Sequence, residues 1–301
     1  MPDLNLLNQR FAIENHVQLR EIADGVIIAE VANQHALSNI ALQGAHIATF
    51  QPRGEEPVIW LSPNAKFAPG KSIRGGVPIC WPWFGPHKTD SKLPGHGFAR
   101  TVPWELQETR ALEDGATFLR FGLLQNDRTR AQWPYACSAQ LEVTVDKSLR
   151  VELVTTNTGQ EAFELGEALH TYFQISDVAN MTLRGLEGCE YMDKVGNARR
   201  YNQPGSIVIN SEVDRVYVNT DSDCLIEDTG LKRTIRIHKE GSRSTVVWNP
   251  WTEKAEKMGD FGPKLHRDMV CVESGNALEN VVTVAPGETH RLVAVYSVEK
   301  L

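Results

Sequence analysis

The sequence predicts an all-β protein, a large antiparallel β-sandwich with few short helices. Residues 141–159 alternate apolar and polar side chains around a turn at 146–148, which is typical of a hairpin that buries one face. Short runs of the same kind recur along the chain, and no long stretch has apolar residues at the spacing of an amphipathic helix. Because strands do not alternate with long helices, a parallel α/β fold is disfavoured.

The expected strands are short and separated by turns. Besides the hairpin at 141–159, they cover residues 116–124, 206–210, 234–238, 244–248, 269–273, 280–284 and 291–298. Glycine residues lie between these runs, as expected of tight connections. The best candidate for a helix is 251–258, which follows Pro250 and is short. Because its 301 residues contain no linker-like segment, the chain is expected to form a single domain over 1–301.

Composition argues against several classes of protein. The net charge is −7, so bulk attraction to nucleic acid or to an anionic membrane is not expected. The five cysteines are scattered without CxxC spacing, which argues for a reducing compartment and against a disulfide framework or a zinc site. The N-terminal segment lacks the basic start and apolar core of a secretory signal, and the longest uncharged aromatic stretch is too short to span a bilayer. These features predict a cytoplasmic globular protein.

Four segments could carry chemistry, and the first is 73–87, "IRGGVPICWPWFGPH". Its prolines forbid a helix, and its large aromatic side chains could pack a core or stack on a sugar ring. For the aromatic residues taken alone, core packing is the preferred interpretation. Arg74 differs, because a ligand oxyanion could approach both its guanidinium and the backbone N–H groups of the glycine pair that follows.

The second segment is "LPGHGFAR", residues 93–100. Proline and glycine place His96 on a turn between Gly95 and Gly97, and Arg100 follows four residues later. The imidazole of His96 could bond a neighbouring carbonyl, or it could face a ligand across a loop thinned by glycine. Spacing alone does not separate these two interpretations.

The third and fourth segments contribute an imidazole and a carboxyl group. In "EALHTYF" (167–173), a strand would place His170 on one face, as a core residue or as an acid that donates a proton near neutral pH. In "MVCVESGNALEN" (269–280), Glu273 closes an apolar strand before an expected turn at 274–275. A lone glutamate there commonly points to water, but partial desolvation would raise its pKa and make it a better proton acceptor.

Several common site patterns do not occur in the sequence. No pair of histidines has the spacing of metal ligands, and there is no HExxH, GxxxxGK[ST] or GxSxG motif. The glycines near Arg74 and His96 do not form a dinucleotide-binding fingerprint.

Six ordered blocks of the sequence resemble the D-hexose-6-phosphate mutarotases, also called glucose-6-phosphate 1-epimerases, within the galactose-mutarotase-like superfamily. The resemblance covers nearly the whole chain and lies in "IRGGVPICWPWFGPH", "LPGHGFAR", "ALHTYF", "DRVY" (214–217), "VVWNPW" (246–251) and "VCVES" (270–274). It implies a β-supersandwich with an open concave carbohydrate site. It also implies interconversion of the α and β anomers of an aldose 6-phosphate, without a metal or organic cofactor.

The resemblance also implies roles for three residues in the chemistry. His170 would be the general acid and Glu273 the general base, while His96 would assist at the ring oxygen or a neighbouring hydroxyl. Opening a hemiacetal requires removal of the anomeric hydroxyl proton and donation of a proton to the ring oxygen, and an imidazole and a carboxylate can do both.

Substrate binding is implied for three further residues. Arg74 and Arg100 would hold the anionic end of a sugar phosphate, and Asp214 would bind a sugar hydroxyl. Some relatives carry a glutamine immediately before the histidine of the second block, where this chain has Gly95. That contact is lost here or supplied elsewhere.

Two alternative functions remain open at this level. One is a mutarotase of unphosphorylated aldoses. The other is a non-catalytic carbohydrate-binding β-sandwich that would use Trp81, Trp83 and Trp248 as stacking faces.

Overall fold

The computed structural model describes residues 3–23 and 25–301, and strands predominate in them. The strands are β1 (Val17–Ala23), β2 (Val26–Ala32), β3 (Ala36–Ala41), β4 (His46–Pro52), β5 (Ile79–Cys80), β6 (Trp104–Ala111), β7 (Thr117–Leu123), β8 (Cys137–Val145), β9 (Leu149–Asn157), β10 (Phe163–Leu165), β11 (Glu167–Leu169), β12 (Tyr172–Gln174), β13 (Met181–Arg184), β14 (Glu190–Asp193), β15 (Arg199–Asn202), β16 (Val213–Tyr217), β17 (Cys224–Asp228), β18 (Arg233–Glu240), β19 (Ser244–Asn249), β20 (Met269–Asn276), β21 (Val282–Val284) and β22 (Thr289–Lys300). The α-helices of this part of the chain are α1 (Leu4–Phe11), α2 (Asp127–Gln132) and α3 (Trp251–Lys257).

Two eight-stranded sheets form the body of the sandwich. The first has the order β15-β14-β16-β19-β20-β11-β5, with β12 also paired to β20, and the second has the order β13-β17-β18-β22-β9-β8-β7-β6. The ladders of both sheets are antiparallel. A large apolar core contains side chains from both sheets, among them Leu153, Val272 and Ala294. The predicted all-β antiparallel sandwich is therefore confirmed.

Most of the predicted elements are present, and three details of the prediction are wrong. The strand considered over 167–173 is interrupted at 170–171, between β11 and β12. The hairpin at 141–159 is β8 and β9, joined where Val145 pairs with Leu149. The predicted strand at 206–210 is only an isolated bridge between Ile207 and Leu183. The turn expected at 274–275 is absent, because β20 continues without a break to Asn276. All eight residues of β20 are buried.

The predicted helix at 251–258 is α3, while α1 and α2 were not predicted. Both begin with a side-chain cap that satisfies free backbone N–H groups of the first turn. Asp3 accepts from the N–H groups of Asn5 and Leu6. Asn126 forms a reciprocal capping box with Thr129. None of the helices in the described residues is long and apolar enough to cross a membrane.

The two loops that carry candidate site residues are joined to each other by their backbones. Trp81, in the first loop, forms a bridge with Gly97, in the second. Gly97 has φ +70°, and a Cβ atom there would lie 1.9 Å from the carbonyl oxygen of Trp81. Because only glycine combines this backbone conformation with so close an approach, Gly97 keeps the loop of His96 against the first sheet.

We therefore expect Gly97→Ala to destabilise the protein by about 2–4 kcal/mol, because backbone strain and a backbone clash coincide at this site. Thermal or urea unfolding followed by circular dichroism measures the loss. Gly54→Ala is the matched control, since Gly54 also has positive φ but has nothing within 4 Å of the added atom. Its expected cost is only about 1 kcal/mol. Equal losses in the two variants would contradict the role assigned to the Trp81 contact.

Candidate active site

The first sheet brings His170 and Glu273 together. Leu169, at the end of β11, pairs with Ser274, and Tyr172, at the start of β12, pairs with Cys271. This register places His170 directly opposite Glu273 across the sheet. Their side chains meet, with 3.3 Å between His170 Nε2 and Glu273 Oε1.

Both members of this pair are buried. The side chain of Glu273 is 2% exposed and that of His170 is 14% exposed. Glu273 Oε2 and His170 Nδ1 find no hydrogen-bond partner among the described residues. The water-facing alternative for Glu273 is therefore wrong, and the carboxyl group lies inside the sheet rather than at its edge.

Burial shifts the pKa values of the two groups in opposite directions. Desolvation, helped by the charge of Asp214, raises the pKa of Glu273 well above its usual range. Desolvation, helped by His96 and Arg100, lowers the pKa of His170 well below its usual range. Both shifts favour the uncharged forms, so the pair carries one proton between the two groups over a wide range of pH.

Aromatic side chains surround the imidazole of His170. Tyr172 stacks on it with ring centroids 5.1 Å apart, and Trp248 approaches it edge-on at 6.0 Å. Trp60 in turn stacks on Tyr172 at 5.8 Å. These rings form an aromatic wall that shields the imidazole from water and fixes its orientation.

His96 lies near the pair on its turn, with φ +66°. Its ring centroid is 6.2 Å from that of His170. The N–H of Gly85 donates to His96 Nδ1 over 3.3 Å, which assigns the proton of the neutral ring to Nε2. Burial, together with Arg100 and Lys194, lowers the pKa of His96 to about 3. His96 therefore bonds a neighbouring backbone group and also keeps a neutral N–H donor near the pair.

The two predicted arginines differ in how their charges are matched. Arg74 Nε is 3.1 Å from Asp260 Oδ1, and its Nη1 donates to the hydroxyl of Tyr172 over 3.1 Å. Arg100 donates to the carbonyl oxygen of Gly95 over 2.9 Å. Within the described part of the chain, no carboxylate lies within 4 Å of the Arg100 guanidinium. Arg100 thus contributes a positive charge that is not matched by a counter-ion.

Asp214 lies on β16 beside a cation that the sequence analysis missed. Lys194 Nζ is 3.7 Å from Asp214 Oδ1 and lies over the ring of Phe84, 5.5 Å from its centroid. Burial raises the pKa of Asp214, while Lys194 opposes that shift. A lone lysine in a loop carries no sequence signal, so only its place in the structure identifies Lys194. Asp260, the partner of Arg74, was missed for the same reason.

Gly95 and Gly97 differ in what surrounds them. A Cβ atom on Gly95 would meet nothing closer than an oxygen at 3.8 Å, so this position is open. Gly97 instead contacts the backbone of Trp81 closely, as described above. Of the two glycines, only Gly95 leaves space on the side where a ligand could approach. Among the residues that the structure describes, no three His, Cys, Asp or Glu side chains are grouped to hold a metal ion.

This arrangement has the parts that proton transfer on a sugar requires. It provides a carboxyl group and an imidazole in contact, a neutral N–H donor beside them, a flat aromatic wall and an unmatched cation. The chemistry that fits is the transfer of protons to and from oxygen atoms of a small polar ring.

Comparison with known proteins leads to the same chemistry. Residues 28–297 match the family model described as aldose 1-epimerase. A protein of Escherichia coli (strain K12) is 37% identical over 261 residues, which is 86% of each chain, and one of Cenchrus ciliaris is 35% identical over 270 residues, which is 86% of this chain and 80% of the other. Both relatives bear the name "Putative glucose-6-phosphate 1-epimerase".

Solved structures extend the comparison to the fold. The crystal structure of a Salmonella typhimurium protein described as a "putative mutarotase" has a TM-score of 0.90 and 34% identity, covering 97% of this chain and 96% of the other. Galactose 1-epimerase from Lactobacillus acidophilus has a TM-score of 0.70, covering 96% and 99% of the two chains, and at 14% identity it shows the shared fold alone. The chain therefore belongs to the aldose 1-epimerase family and is an isomerase of that family.

Proposed function

We propose that this enzyme interconverts the α and β anomers of an aldohexose 6-phosphate, with glucose 6-phosphate as the first candidate. The observation that carries the proposal is the contact between His170 Nε2 and Glu273 Oε1 in a buried, aromatic-walled site. The names of the relatives support glucose 6-phosphate as the substrate.

In the proposed mechanism, Glu273 is the base and His170 is the acid. Glu273 takes the proton of the anomeric hydroxyl while the bond between C1 and the ring oxygen breaks, and His170 gives its proton to that oxygen. The product is a neutral open-chain aldehyde. Rotation about the C1–C2 bond and the reverse proton transfers close the ring with the other configuration at C1.

The free enzyme holds the two groups too close for this reaction, because the sugar must lie between them. Entry of the sugar therefore replaces the 3.3 Å contact with hydrogen bonds from Glu273 to the anomeric hydroxyl and from His170 to the ring oxygen. The productive state has an ionised carboxylate and an imidazolium, which is the charged form of the same one-proton pair. Hydrogen bonds from the substrate stabilise these charges inside the buried site.

Two other side chains would position the sugar. His96 has its neutral Nε2–H available as a donor to a ring substituent or to the ring oxygen. Asp214, held by Lys194, is an acceptor for a sugar hydroxyl.

The phosphate would be bound chiefly by Arg100. Arg74 shares its charge with Asp260, whereas Arg100 has a carbonyl oxygen as its hydrogen-bond partner. An unmatched guanidinium gains more from a dianion than a matched one, because no existing ion pair has to be weakened. Arg74 would then orient the aromatic wall through Tyr172 and supply a second, weaker attraction.

The alternative of a non-catalytic carbohydrate-binding module finds less support. Trp81 is fully buried, and its indole N–H donates to Thr155 Oγ1 over 3.0 Å. Trp83 is 8% exposed and packs in the same core. These two rings therefore have little free face on which a sugar could stack.

We also propose that residues 1–301 form one domain in the cytoplasm. One apolar cluster extends from Phe11 to Tyr296, which supports a single domain. All five cysteines are free thiols, which supports a reducing compartment. The net charge of −7 supports a small-molecule substrate rather than nucleic acid or a membrane.

His170→Asn and Glu273→Gln should each lower kcat by about 10²–10⁴-fold with little change in KM, because each removes one proton-transfer group. The measurement is the equilibration of fresh α-glucose 6-phosphate, followed by polarimetry or NMR. His266→Asn, which changes a buried histidine outside the pair, should retain wild-type kcat. Wild-type protein that leaves the spontaneous rate unchanged would falsify the proposed function.

The dependence of kcat/KM on pH should be a broad bell, because the reactive enzyme is the one-proton form of the pair. The fall on the acid side marks protonation of both groups, and the lowered pKa of His170 moves that fall to lower pH than the usual 6.5. The fall on the alkaline side marks loss of the shared proton, and the raised pKa of Glu273 moves that fall to higher pH than the usual 4.5. A maximum confined to the interval between pH 4.5 and pH 6.5 would contradict this description of the pair.

Arg100→Ala should raise KM for glucose 6-phosphate by about 10–100-fold and leave kcat nearly unchanged, because the lost charge-assisted hydrogen bond is made to the phosphate and not to an atom that reacts. Glucose serves as the internal control, since the constants for the unphosphorylated sugar should change little. Arg128→Ala, on exposed α2, controls for net charge. If KM for glucose 6-phosphate did not rise, a mutarotase of unphosphorylated aldoses would be the better description.

A further inference from the structure

A second carboxyl–imidazole pair, whose carboxyl group is buried, lies outside the proposed site and links β11 to β22. Glu167, the first residue of β11, is fully buried, and its Oε1 lies 2.8 Å from Nε2 of His290 on β22. Asn276, the last residue of β20, donates to the same Oε1 over 3.0 Å and to the carbonyl oxygen of Gly241 over 2.8 Å. The network thus joins β11, β20 and β22.

We propose that the Glu167–His290 pair, bridged by Asn276, is a positioning contact that fixes the register of β11 against β20 and so holds His170 opposite Glu273. Glu167 pairs with Asn276 in the ladder, three residues before His170 on one strand and three after Glu273 on the other. This inference rests on the roles proposed above for His170 and Glu273.

His170 follows β11 directly, and the ladder that holds β11 is short enough to need such a contact. β11 has three residues, and its other neighbour, β5, has only two. A slip of one residue would turn His170 to the opposite face of the sheet, because side chains alternate along a strand. It would also place Gly166 or Ala168 opposite Asn276, and neither has a side chain that can accept its hydrogen bond.

A second contact ties the residue after His170 to β22, the strand that also carries His290. Thr171 Oγ1 is 2.6 Å from the hydroxyl of Tyr296 on β22, and both groups are buried. His170 therefore lies on a segment that is tied to the second sheet before and after it, by Glu167 and by Thr171. These contacts lie on the inner face of the first sheet, while the imidazole of His170 faces outward to Tyr172 and Trp248.

Stability alone does not account for the Glu167–His290 pair. Glu167 Oε2 is buried and has no hydrogen-bond partner among the described residues, so one oxygen of the carboxyl group is unsatisfied. Well-packed apolar residues commonly replace a buried ion pair with no loss of stability, and the best-attested use of such pairs is to specify register.

The test compares two substitutions of Glu167 with matched size. Glu167→Gln keeps an oxygen that accepts from Asn276 and His290, and its kcat should stay within about threefold of wild type. Glu167→Leu removes the acceptor and leaves no buried charge, because His290 can lose its proton. Its kcat should fall ~10-fold or more with KM unchanged within about twofold, because displaced catalytic groups bind substrate but transfer protons poorly.

Thermal unfolding and the wild-type rate separate the possible outcomes. If Glu167→Leu folds and keeps the kcat of Glu167→Gln, the register role is wrong. If it does not fold, Glu167→Leu/His290→Leu removes both polar groups, and wild-type kcat in that protein would overturn the proposal. If neither leucine protein folds, the pair is required for folding, and the register role is likewise overturned. Absence of activity in the wild type would instead overturn the proposed function.

Asn33→Leu is the control for lost stability alone. Asn33 is buried and donates to Thr117 Oγ1 and to the carbonyl oxygen of Val145, so this variant should be less stable without a change in kcat.

Discussion

The burial of an acidic and a basic group against each other is the constraint on which the site depends. Glu273 and His170 are nearly inaccessible to water, and each would lose a large hydration free energy if it carried a charge alone. Their contact gives the protein a state in which neither is charged and one proton belongs to both. The same burial that makes this pair costly for stability also raises the pKa of Glu273 and lowers that of His170, so the pair keeps one proton that can be given and taken back at the same pH.

The cations around this pair connect substrate binding to its protonation. Arg100 lowers the pKa of His170 and favours the ionised form of Glu273, and nothing among the described carboxylates cancels its charge. In a protein of net charge −7, such a local field is what attracts an anion. A phosphate bound to Arg100 would offset this field at both groups, favouring the protonated form of His170 and disfavouring the ionised form of Glu273. These two effects oppose each other, so the charged end of the substrate contributes mainly to binding.

The two faces of the sheet at β11 and β20 carry different contacts. On the outer face of the first sheet, His170 and Glu273 meet among aromatic rings. On the inner face, Glu167 and Thr171 bond residues of the second sheet. Because side chains alternate along a strand, a single register determines both sets of contacts. The packing between the sheets is thereby coupled to the geometry of the reacting groups.

The sequence by itself determined the class of fold and the candidate residues. Alternation of apolar residues predicted the antiparallel sandwich, because one buried face imposes a period of two on each strand, and ordered motifs singled out His96, His170 and Glu273. Only the tertiary structure decided which of these groups meet and which charges are already matched. The contact between His170 and Glu273, the pairing of Arg74 with Asp260 and the place of Lys194 beside Asp214 all join residues distant in the chain. Local patterns report the burial of a residue's own strand, whereas such contacts follow from strand order and sheet packing, which local patterns do not encode.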